Sequence, residues 1–341
     1  MIPEELREKL IEEDPFTDIL GQEEAKSQIK AALLMGRNVI IVGPPGVGKT
    51  TLAKNIAKLL PKLVVNDCGY KCLPESPACP KCLSDDKKDK VRQMTISGSE
   101  RFVRLQGSPD LTAEDLIGDI DPTRALKFGA MSIEAFTPGK IFKANNGVLF
   151  FDELNRCPEK LQNALLQVLE EKRMTVAGYD LDFRLDFIFI GTMNPEDSST
   201  EPLSNVLLDR FDIIYMGYPE NVEIEEKIVM MKGKSLVEFP GALLNTTLSF
   251  VKFLRESDAL ELKPSVRASL GLYEMAQSSA FLEGRKKMSL KDVEKAIIPV
   301  LSHRIRLKPS IKYLTSPEDF LKEQFAAFMQ HNYSENKGDY L

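Results

Sequence analysis

Hydrophobic and polar positions divide the chain into two parts of different periodicity. In the first part, apolar runs too short for helices alternate with helical stretches, which predicts buried parallel strands separated by helices. The strand runs are Asn38–Val42, Arg101–Gln106, Gly147–Phe151 and Phe187–Gly191. After Pro219 a helical period prevails, over about 221–234, 241–256, 265–282 and 289–301. The fold class predicted is α/β, a doubly wound parallel sheet followed by a helical domain.

The same pattern suggests domain boundaries. We expect an α/β domain over 1–219, a helical domain over 220–310 and a C-terminal helical extension over 311–341. Arg173–Val176 and Tyr179–Phe183, joined by Ala177-Gly178, predict a β-hairpin. The extension carries an apolar stripe, for which packing and partner docking are both open: Phe320, Leu321, Phe325, Phe328 and Met329.

A glycine-rich loop joins the first buried strand to the next helix and fits the pattern G-x-x-x-x-G-K-T. It reads Gly43-Pro44-Pro45-Gly46-Val47-Gly48-Lys49-Thr50, with Thr51 following. Backbone N–H groups of such a loop surround phosphate oxygens, and the helix N-terminus adds positive potential. Lys49 is expected at the β- and γ-phosphates, Thr50 on Mg²⁺, and Thr51 in the same site. The loop predicts binding of a nucleoside triphosphate.

Two other predicted strands end in polar groups. Val148–Phe151 leads into Asp152 and Glu153, and Phe187–Gly191 leads towards Asn194. Ligands of open α/β sheets bind at the carboxyl ends of the strands. We expect Asp152 to hold Mg²⁺, Glu153 to accept a proton from the attacking water and Asn194 to orient that water.

Phosphoryl transfer also requires positive charge at the γ-phosphate. Arg210, in Leu207-Leu-Asp-Arg-Phe211, and Arg267, in Pro264-Ser-Val-Arg267, are the candidates. A single arginine is more often a solvated surface residue, so the assignment of each arginine depends on the order of the other motifs along the chain.

Composition excludes some classes of protein. The 341 residues are 43% hydrophobic and 28% charged, which is typical of globular proteins, with a net charge of −6. This acidic balance argues against a nucleic-acid binder held by bulk charge. There is no run of 18 uncharged apolar residues, and the N-terminus MIPEELREKLIEED lacks an apolar signal region. We therefore expect a cytoplasmic protein without a membrane span.

Four of the five cysteines form a cluster with the spacing Cys68-x3-Cys72-x6-Cys79-x2-Cys82. They lie in a segment of about 66–90, between Lys49 and Asp152, where a compact phosphate-loop core needs fewer residues. Zn²⁺ on four thiolates would supply the folding energy that this segment lacks. An iron–sulfur cluster and redox-active or free thiols remain alternatives. Cys157 lies outside the cluster and is expected to be packed.

In this order, the phosphate loop, Asp152-Glu153, Asn194, Arg210 and Arg267 resemble the AAA+ ATPases. Within that class the chain resembles the MoxR and magnesium-chelatase ATPase-subunit group over about 15–306. The segments that carry this finer resemblance are 16–22 (FTDILGQ), 102–111 (FVRLQGSPDL), 115–118 (DLIG), 136–147 (FTPGKIFKANNG), 152–156 (DELNR) and 301–305 (LSHRI).

The resemblance implies a homo-oligomer, typically a hexameric ring, with ATP bound between neighbouring subunits. Lys49, Thr50, Asp152, Glu153 and Asn194 would act within one subunit, whereas Arg210 would reach the neighbour's γ-phosphate. Arg267 would couple the helical lid to the nucleotide state, and Arg156 is a second candidate for an interface charge. The hairpin at 173–183 and an insertion at 112–140 would face the pore or the substrate.

Three functions remain in competition. The first is a chaperone-like motor of MoxR type that remodels a partner protein, often one with a von Willebrand A domain. The second is the ATPase subunit of a magnesium or cobalt chelatase, and the third is a DNA motor or loader, which the acidic composition disfavours. The two histidines, His303 and His331, lie near no carboxylate–cysteine array in the sequence, so any metal insertion would occur in a partner.

Overall fold

The computed structural model describes residues 4–12, 14–83, 91–129, 132–176, 181–195 and 203–338. Two compact units are present. The first comprises Met1–Gly43 and Gly48–Met216, and the second comprises Pro44–Val47 and Gly217–Leu341. Among the described residues, no helix is long and apolar enough to cross a membrane.

Within the described part of the first unit, five parallel strands form the central sheet. In chain order they are β1 (Asn38–Val42), β4 (Phe102–Gln106), β7 (Gly147–Asp152), β10 (Phe187–Met193) and β11 (Phe211–Tyr215). Their order across the sheet is β11-β1-β10-β7-β4. β1, β7 and β10 lie inside the sheet, which explains why their sequences are continuously apolar rather than alternating. The predicted α/β fold is confirmed.

Helices and short antiparallel ribbons surround this sheet. The helices are α1 (Glu4–Ile11), α2 (Glu23–Leu34), α3 (Lys49–Leu59), α4 (Pro80–Leu83), α5 (Ala113–Leu116), α6 (Pro122–Phe128), α7 (Lys140–Lys143), α8 (Glu159–Glu171) and α9 (Asn205–Leu208). The ribbons are β2 (Leu63–Asn66) with β3 (Gln93–Ile96), β5 (Gly118–Ile120) with β6 (Phe136–Pro138), and β8 (Arg173–Val176) with β9 (Leu181–Arg184).

Each of the three ribbons corresponds to a segment that the sequence analysis singled out. The cysteine cluster lies on the connection between β2 and β3, and the predicted 112–140 insertion contains the β5–β6 ribbon. The predicted hairpin is the β8–β9 ribbon, in which Val176 pairs with Leu181. Its expected turn, Ala177-Gly178, and the start of its second strand at Tyr179 lie outside the described residues.

The second unit is helical. Its elements are α10 (Val222–Lys232), α11 (Gly241–Glu256), α12 (Val266–Leu282), α13 (Leu290–Leu301), α14 (Pro309–Lys312) and α15 (Pro317–Gly338), with the short strands β12 (Leu260–Leu262) and β13 (Arg306–Leu307). Ser289 and Asp292 form a capping box at the start of α13. The apolar stripe of α15 packs into the core of this unit, with Phe325 and Phe328 against Phe250 of α11.

Candidate functional site

The glycine-rich loop begins at the end of β1, which lies between β10 and β11 in the sheet. The Gly43 N–H donates to the Met193 carbonyl (3.2 Å), and a Cβ at Gly43 would lie 2.1 Å from the Met216 carbonyl oxygen. Gly48, with φ of 104°, precedes the first residue of α3. Only glycine adopts this backbone readily, so the sequence pattern follows from the turn.

Strand register brings the other predicted groups to the same edge of the sheet. Val42 is level with Met193, Gly191 is level with Phe151, and Gln106 is level with Asp152. Gly43 follows β1, Asn194 follows β10 and Asp152 is the last residue of β7, so all three lie at the carboxyl ends of adjacent strands. Lys49 lies in the first turn of α3, where its Nζ donates to the Gly43 carbonyl, and Thr50 and Thr51 follow in that turn. This is the arrangement expected of a triphosphate and Mg²⁺ site.

Asp152 is held by two side chains from neighbouring strands. The Thr192 hydroxyl donates to Asp152 Oδ1 (2.7 Å), and Arg104 Nη2 donates to Asp152 Oδ2 (2.6 Å). Thr192 is 1% exposed and Asp152 is 15% exposed. The carboxylate is consequently fixed in orientation while one side of it remains open to the edge of the sheet.

Glu153 leaves the strand in a left-handed conformation, with φ of 55°. Its N–H donates to the Thr192 hydroxyl (3.0 Å), while its carboxylate accepts from Gln106 Nε2 (2.8 Å) and pairs with Arg156 Nη1 (3.1 Å). Residues other than glycine rarely adopt this conformation, and such strain concentrates at functional sites. The turn gives Glu153 a direction different from that of Asp152, although the two are adjacent in sequence.

The remaining predicted polar groups have these positions. Asn194 directly follows β10, and its carbonyl accepts from Asn155 Nδ2 (3.3 Å). Arg156, proposed above as an interface charge, pairs with Glu153 of its own chain.

The fold does not bring Arg210 to Asp152 and Glu153, which we call the acidic pair. It precedes Phe211, which is level with Asn38 at the start of β1, so it lies at the amino edge of the sheet. A five-residue strand spans roughly 17 Å, which separates this edge from the one that carries Asp152. Arg210 instead pairs with Glu170 (2.8 Å) and donates to the Val206 carbonyl (2.5 Å).

Arg267 lies in the first turn of α12 in the second unit, which also includes Pro44–Val47. Gly46 has φ of 80°, and a Cβ there would lie 3.1 Å from Ser265 Oγ and 3.2 Å from Arg267 Cγ. Within this unit, the tip of the glycine-rich loop is therefore packed against the start of α12.

Sequence reasoning missed three residues that orient the acidic pair: Arg104, Gln106 and Thr192. Arg104 and Gln106 are alternate residues of β4, so both lie on one face of the strand. Polar side chains at alternate positions of a predicted strand are the sequence feature that could have indicated Arg104 and Gln106. Their partners depended on pairing between β4 and β7, which no local pattern specifies.

The four clustered cysteines are all buried, and their sulfur atoms all lie within 4.8 Å of one another. Cys68 and Cys72 flank a turn in which Gly69 and Lys71 both have positive φ, whereas Cys79 directly precedes α4 and Cys82 lies within it. The Cys157 thiol, by contrast, donates to the Pro158 carbonyl (3.7 Å). Four convergent soft ligands with no open position are the donor set of a structural Zn²⁺ site.

The thiols of this cluster influence one another strongly. Hydrogen bonds from Cys72 and Cys79 lower the pKa of Cys68, whereas the hydrogen bond to Cys68 raises the pKa of Cys72. The pKa of Cys79 is also raised, by hydrogen bonds to Cys68 and Cys72 and by burial. Thiolates this close together repel one another, a cost that a bound cation offsets.

Comparisons with known proteins show to which family this chain belongs. Family descriptions match residues 84–213 (ATPase family associated with various cellular activities), 252–324 (AAA lid domain) and 15–69 (magnesium chelatase, subunit ChlI). The magnesium-chelatase subunit ChlI of Nephroselmis olivacea is 30% identical over 326 residues, covering 86% of this chain and 89% of that protein. The chain belongs to the magnesium-chelatase ChlI family of AAA+ ATPases.

Other ChlI relatives are similarly distant. The ChlI homolog of Methanocaldococcus jannaschii is 28% identical, with 86% of each chain covered. Among solved structures, a putative ATPase from Cytophaga hutchinsonii is 20% identical, covers 94% of each chain and has a TM-score of 0.44. A cryo-EM-based complex of the magnesium-chelatase subunits BchI and BchD matches at 24% identity, covering 88% of this chain and 98% of that one, with a TM-score of 0.47.

Membership of the ChlI family makes this chain an ATPase that uses ATP and Mg²⁺. The glycine-rich loop and the carboxyl edge of the sheet fit these groups, because they offer backbone donors, a lysine and oxygen ligands.

Proposed function

We propose that copies of this chain assemble into a ring, typically a hexamer, and hydrolyse ATP at the seam between neighbouring subunits. Movement of the helical unit would then remodel or activate a partner protein. The observation that carries the proposal is the position of Arg210 at the amino edge of the sheet. From there it does not serve the acidic pair of its own chain.

Within one subunit, we assign the roles expected from the sequence. Lys49 and the backbone of residues 43–48 would hold the phosphates, with Thr51 in the same turn, and Thr50 and Asp152 would hold Mg²⁺. Glu153 would accept the proton of the attacking water, and Asn194 would orient that water. The rigid support of Asp152 and Glu153 by Thr192 favours these roles, since catalytic carboxylates need fixed orientation.

Two arginines would link nucleotide state to movement. Arg210 would stabilise the γ-phosphate of the neighbouring subunit, since its side chain is 27% exposed and, among the described residues, pairs with one acidic side chain, Glu170. Arg267 would sense the nucleotide from the second unit, and its place beside Gly46 supports this assignment.

The partner protein is the finer part of the proposal. A MoxR-type role would pair this chain with a protein that contains a von Willebrand A domain. The second candidate is the ATPase subunit of a magnesium or cobalt chelatase, which the names of the relatives favour. Apart from the four cysteines, the described residues contain no cluster of three or more His, Cys, Asp or Glu side chains placed to hold a metal ion, so we propose that insertion into a tetrapyrrole takes place on a partner.

Zn²⁺ is the proposed third cofactor, bound by Cys68, Cys72, Cys79 and Cys82. Its support is the burial and mutual approach of the four sulfur atoms. The iron–sulfur alternative needs room for several irons and sulfides between the thiolates, whereas these sulfurs lie close enough to share one ion.

A Glu153→Gln variant tests the partner assignment. With ATP bound and hydrolysis stopped, the ring should hold its partner, which mass spectrometry identifies after purification. Lys49→Ala, which we expect not to bind ATP, is the matched control. A von Willebrand A protein retained only by Glu153→Gln supports the first candidate, and a tetrapyrrole-binding subunit supports the second. Equal recovery with Lys49→Ala would contradict ATP-dependent partner binding.

A further inference from the structure

Residues between Cys68 and Cys72 join the cysteine cluster to the β8–β9 ribbon. The role that we infer for this contact rests on the proposed Zn²⁺ site. With Zn–S bonds of about 2.3 Å, the sulfurs of a tetrahedral ion lie about 3.8 Å apart. The limit of 4.8 Å observed here is consistent with one ion at the centre. Because all four ligands would be cysteine sulfurs and all four residues are buried, such an ion would be structural.

A hydrogen bond to sulfur completes the surroundings of this site. Asn66 Nδ2 donates to the Cys82 sulfur (3.4 Å). Donors of this kind orient metal-bound thiolates and stabilise their charge.

Tyr70, which lies between Cys68 and Cys72, contacts the ribbon directly. Its ring stacks on Phe183 of β9, with centroids 5.4 Å apart and planes 6° from parallel. Phe142 of α7 packs edge-on against both rings, at 5.5 Å from Tyr70 and 5.1 Å from Phe183. The cysteine cluster and β9 consequently share one hydrophobic core.

Two asparagines add a polar link between the same parts. Asn145 Nδ2 donates to the Tyr70 carbonyl (3.1 Å), and Asn146 Nδ2 donates to the Lys71 carbonyl (2.9 Å). Asn145 Oδ1 also accepts from the N–H of Asp186, which lies between β9 and β10 (3.0 Å). Backbone held by the cysteines is therefore held to the base of the ribbon as well.

We infer that one Zn²⁺ bound by the four cysteines fixes the β8–β9 ribbon against the sheet, and that Tyr70 transmits this constraint. Without the ion, nothing would tie the four cysteines together, and the low apolar content of the segment would release the turn that carries Tyr70. The ribbon would then lose its stacked ring and part of its polar anchor. Since β9 leads through Asp186 into β10, the ion would also influence the strand that precedes Asn194.

The test combines metal analysis with hydrogen–deuterium exchange. Purified full-length protein should contain about one Zn²⁺ per chain, and the Cys79→Ser variant should lose it, whereas Cys157→Ala should retain it. Removal of the metal with a chelator should accelerate amide exchange in Arg173–Val176 and Leu181–Arg184 by about threefold to tenfold, the range that an aromatic pair supports. Exchange in β7 should not change and serves as the internal reference.

Tyr70 variants separate the link from the ion itself. Tyr70→Ala should retain Zn²⁺ and still accelerate exchange in the ribbon, whereas Tyr70→Phe, which keeps the stacked ring, should behave as the parent. Absence of Zn²⁺, with a disulfide or an iron–sulfur cluster in its place, would overturn both the proposed cofactor and this inference. Bound Zn²⁺ with ribbon exchange unchanged by chelation or by Tyr70→Ala would overturn the inference alone.

Discussion

At the scale of single residues, the account depends on groups that converge from separate strands. The glycine-rich loop and the adjacent acidic residues were recognisable because their chemistry depends on neighbours in sequence. Arg104, Gln106 and Thr192 were not, because their partners are set by strand order and register across the sheet.

The role of Glu153 gives the first prediction. Glu153→Gln should bind ATP normally but hydrolyse it about a hundredfold to ten-thousandfold more slowly, because the amide accepts no proton from water. Nucleotide binding and steady-state hydrolysis measure the two steps separately. Lys49→Ala should fail at binding, and hydrolysis by Glu153→Gln at the parent rate would show that another group is the base.

Thr192 provides a prediction that only the structure makes available. Thr192→Val removes the hydroxyl that joins Asp152 Oδ1 to the Glu153 N–H. A hydrogen bond to a charged group contributes about 1.5–3 kcal/mol, so kcat should fall by about tenfold to a hundredfold. Thr192→Ser keeps the hydroxyl and should retain most activity. Equal kcat values for the two variants would contradict a positioning role.

At the scale of elements, the helical unit has a polar centre of its own. Arg255 of α11 forms a bidentate pair with Glu225 of α10 (2.6 and 2.7 Å), and its Nε donates to the Pro264 carbonyl (2.8 Å). Both charged side chains are almost fully buried, at 7% and 3% exposed. The pair joins two helices to the segment that leads to Arg267.

Breaking this pair should destabilise the helical unit strongly. Arg255→Met leaves the Glu225 charge buried and unpaired, a change that costs about 3–5 kcal/mol. Denaturant unfolding measures the loss. A double variant with Glu225→Leu removes the stranded charge and should recover much of the stability. If the double variant were as unstable as the single one, packing rather than charge pairing would hold these helices.

The start of α13 should respond to acid. Arg285 forms a bidentate pair with Asp292, and together with the Ser289 donors it holds the pKa of this carboxylate well below its ordinary value of 3.8. Because the pKa is lower in the folded state, the stabilisation is complete above 3.8 and is lost as pH falls towards the folded value. Asp292→Asn should therefore lower stability at neutral pH and reduce its decline in acid. Parallel pH–stability curves for parent and variant would contradict this.

The sequence pattern predicted most long elements but not all. The helices α10, α11, α12, α13 and α15 and the strands β1, β4, β7 and β10 follow from continuous periodicity or apolar runs, whereas the short helix α14 was not predicted. β11 was not predicted, because Phe-Asp-Ile-Ile-Tyr at the edge of a sheet gives neither a buried run nor a regular alternation. The β2–β3 ribbon was also missed, since its strands are separated by the cysteine segment.

For the whole molecule, we propose that ATP is hydrolysed at a seam between two copies. The acidic pair and the phosphate loop lie at one edge of the sheet, and Arg210 lies at the other. A subunit in a ring would present both edges to different neighbours. Arg210 and Lys49 would thus belong to different active sites, although they are residues of one chain.

Mixing two inactive variants tests this claim most directly. Arg210→Ala keeps an intact phosphate loop, and Lys49→Ala keeps an intact arginine, so alternating subunits would recreate complete sites at some seams. We expect each variant alone to be inactive and the mixture to recover part of the parental ATPase activity. A mixture that stays inactive although mass analysis shows mixed rings, or an Arg210→Ala variant that is fully active as a monomer, would contradict hydrolysis between subunits.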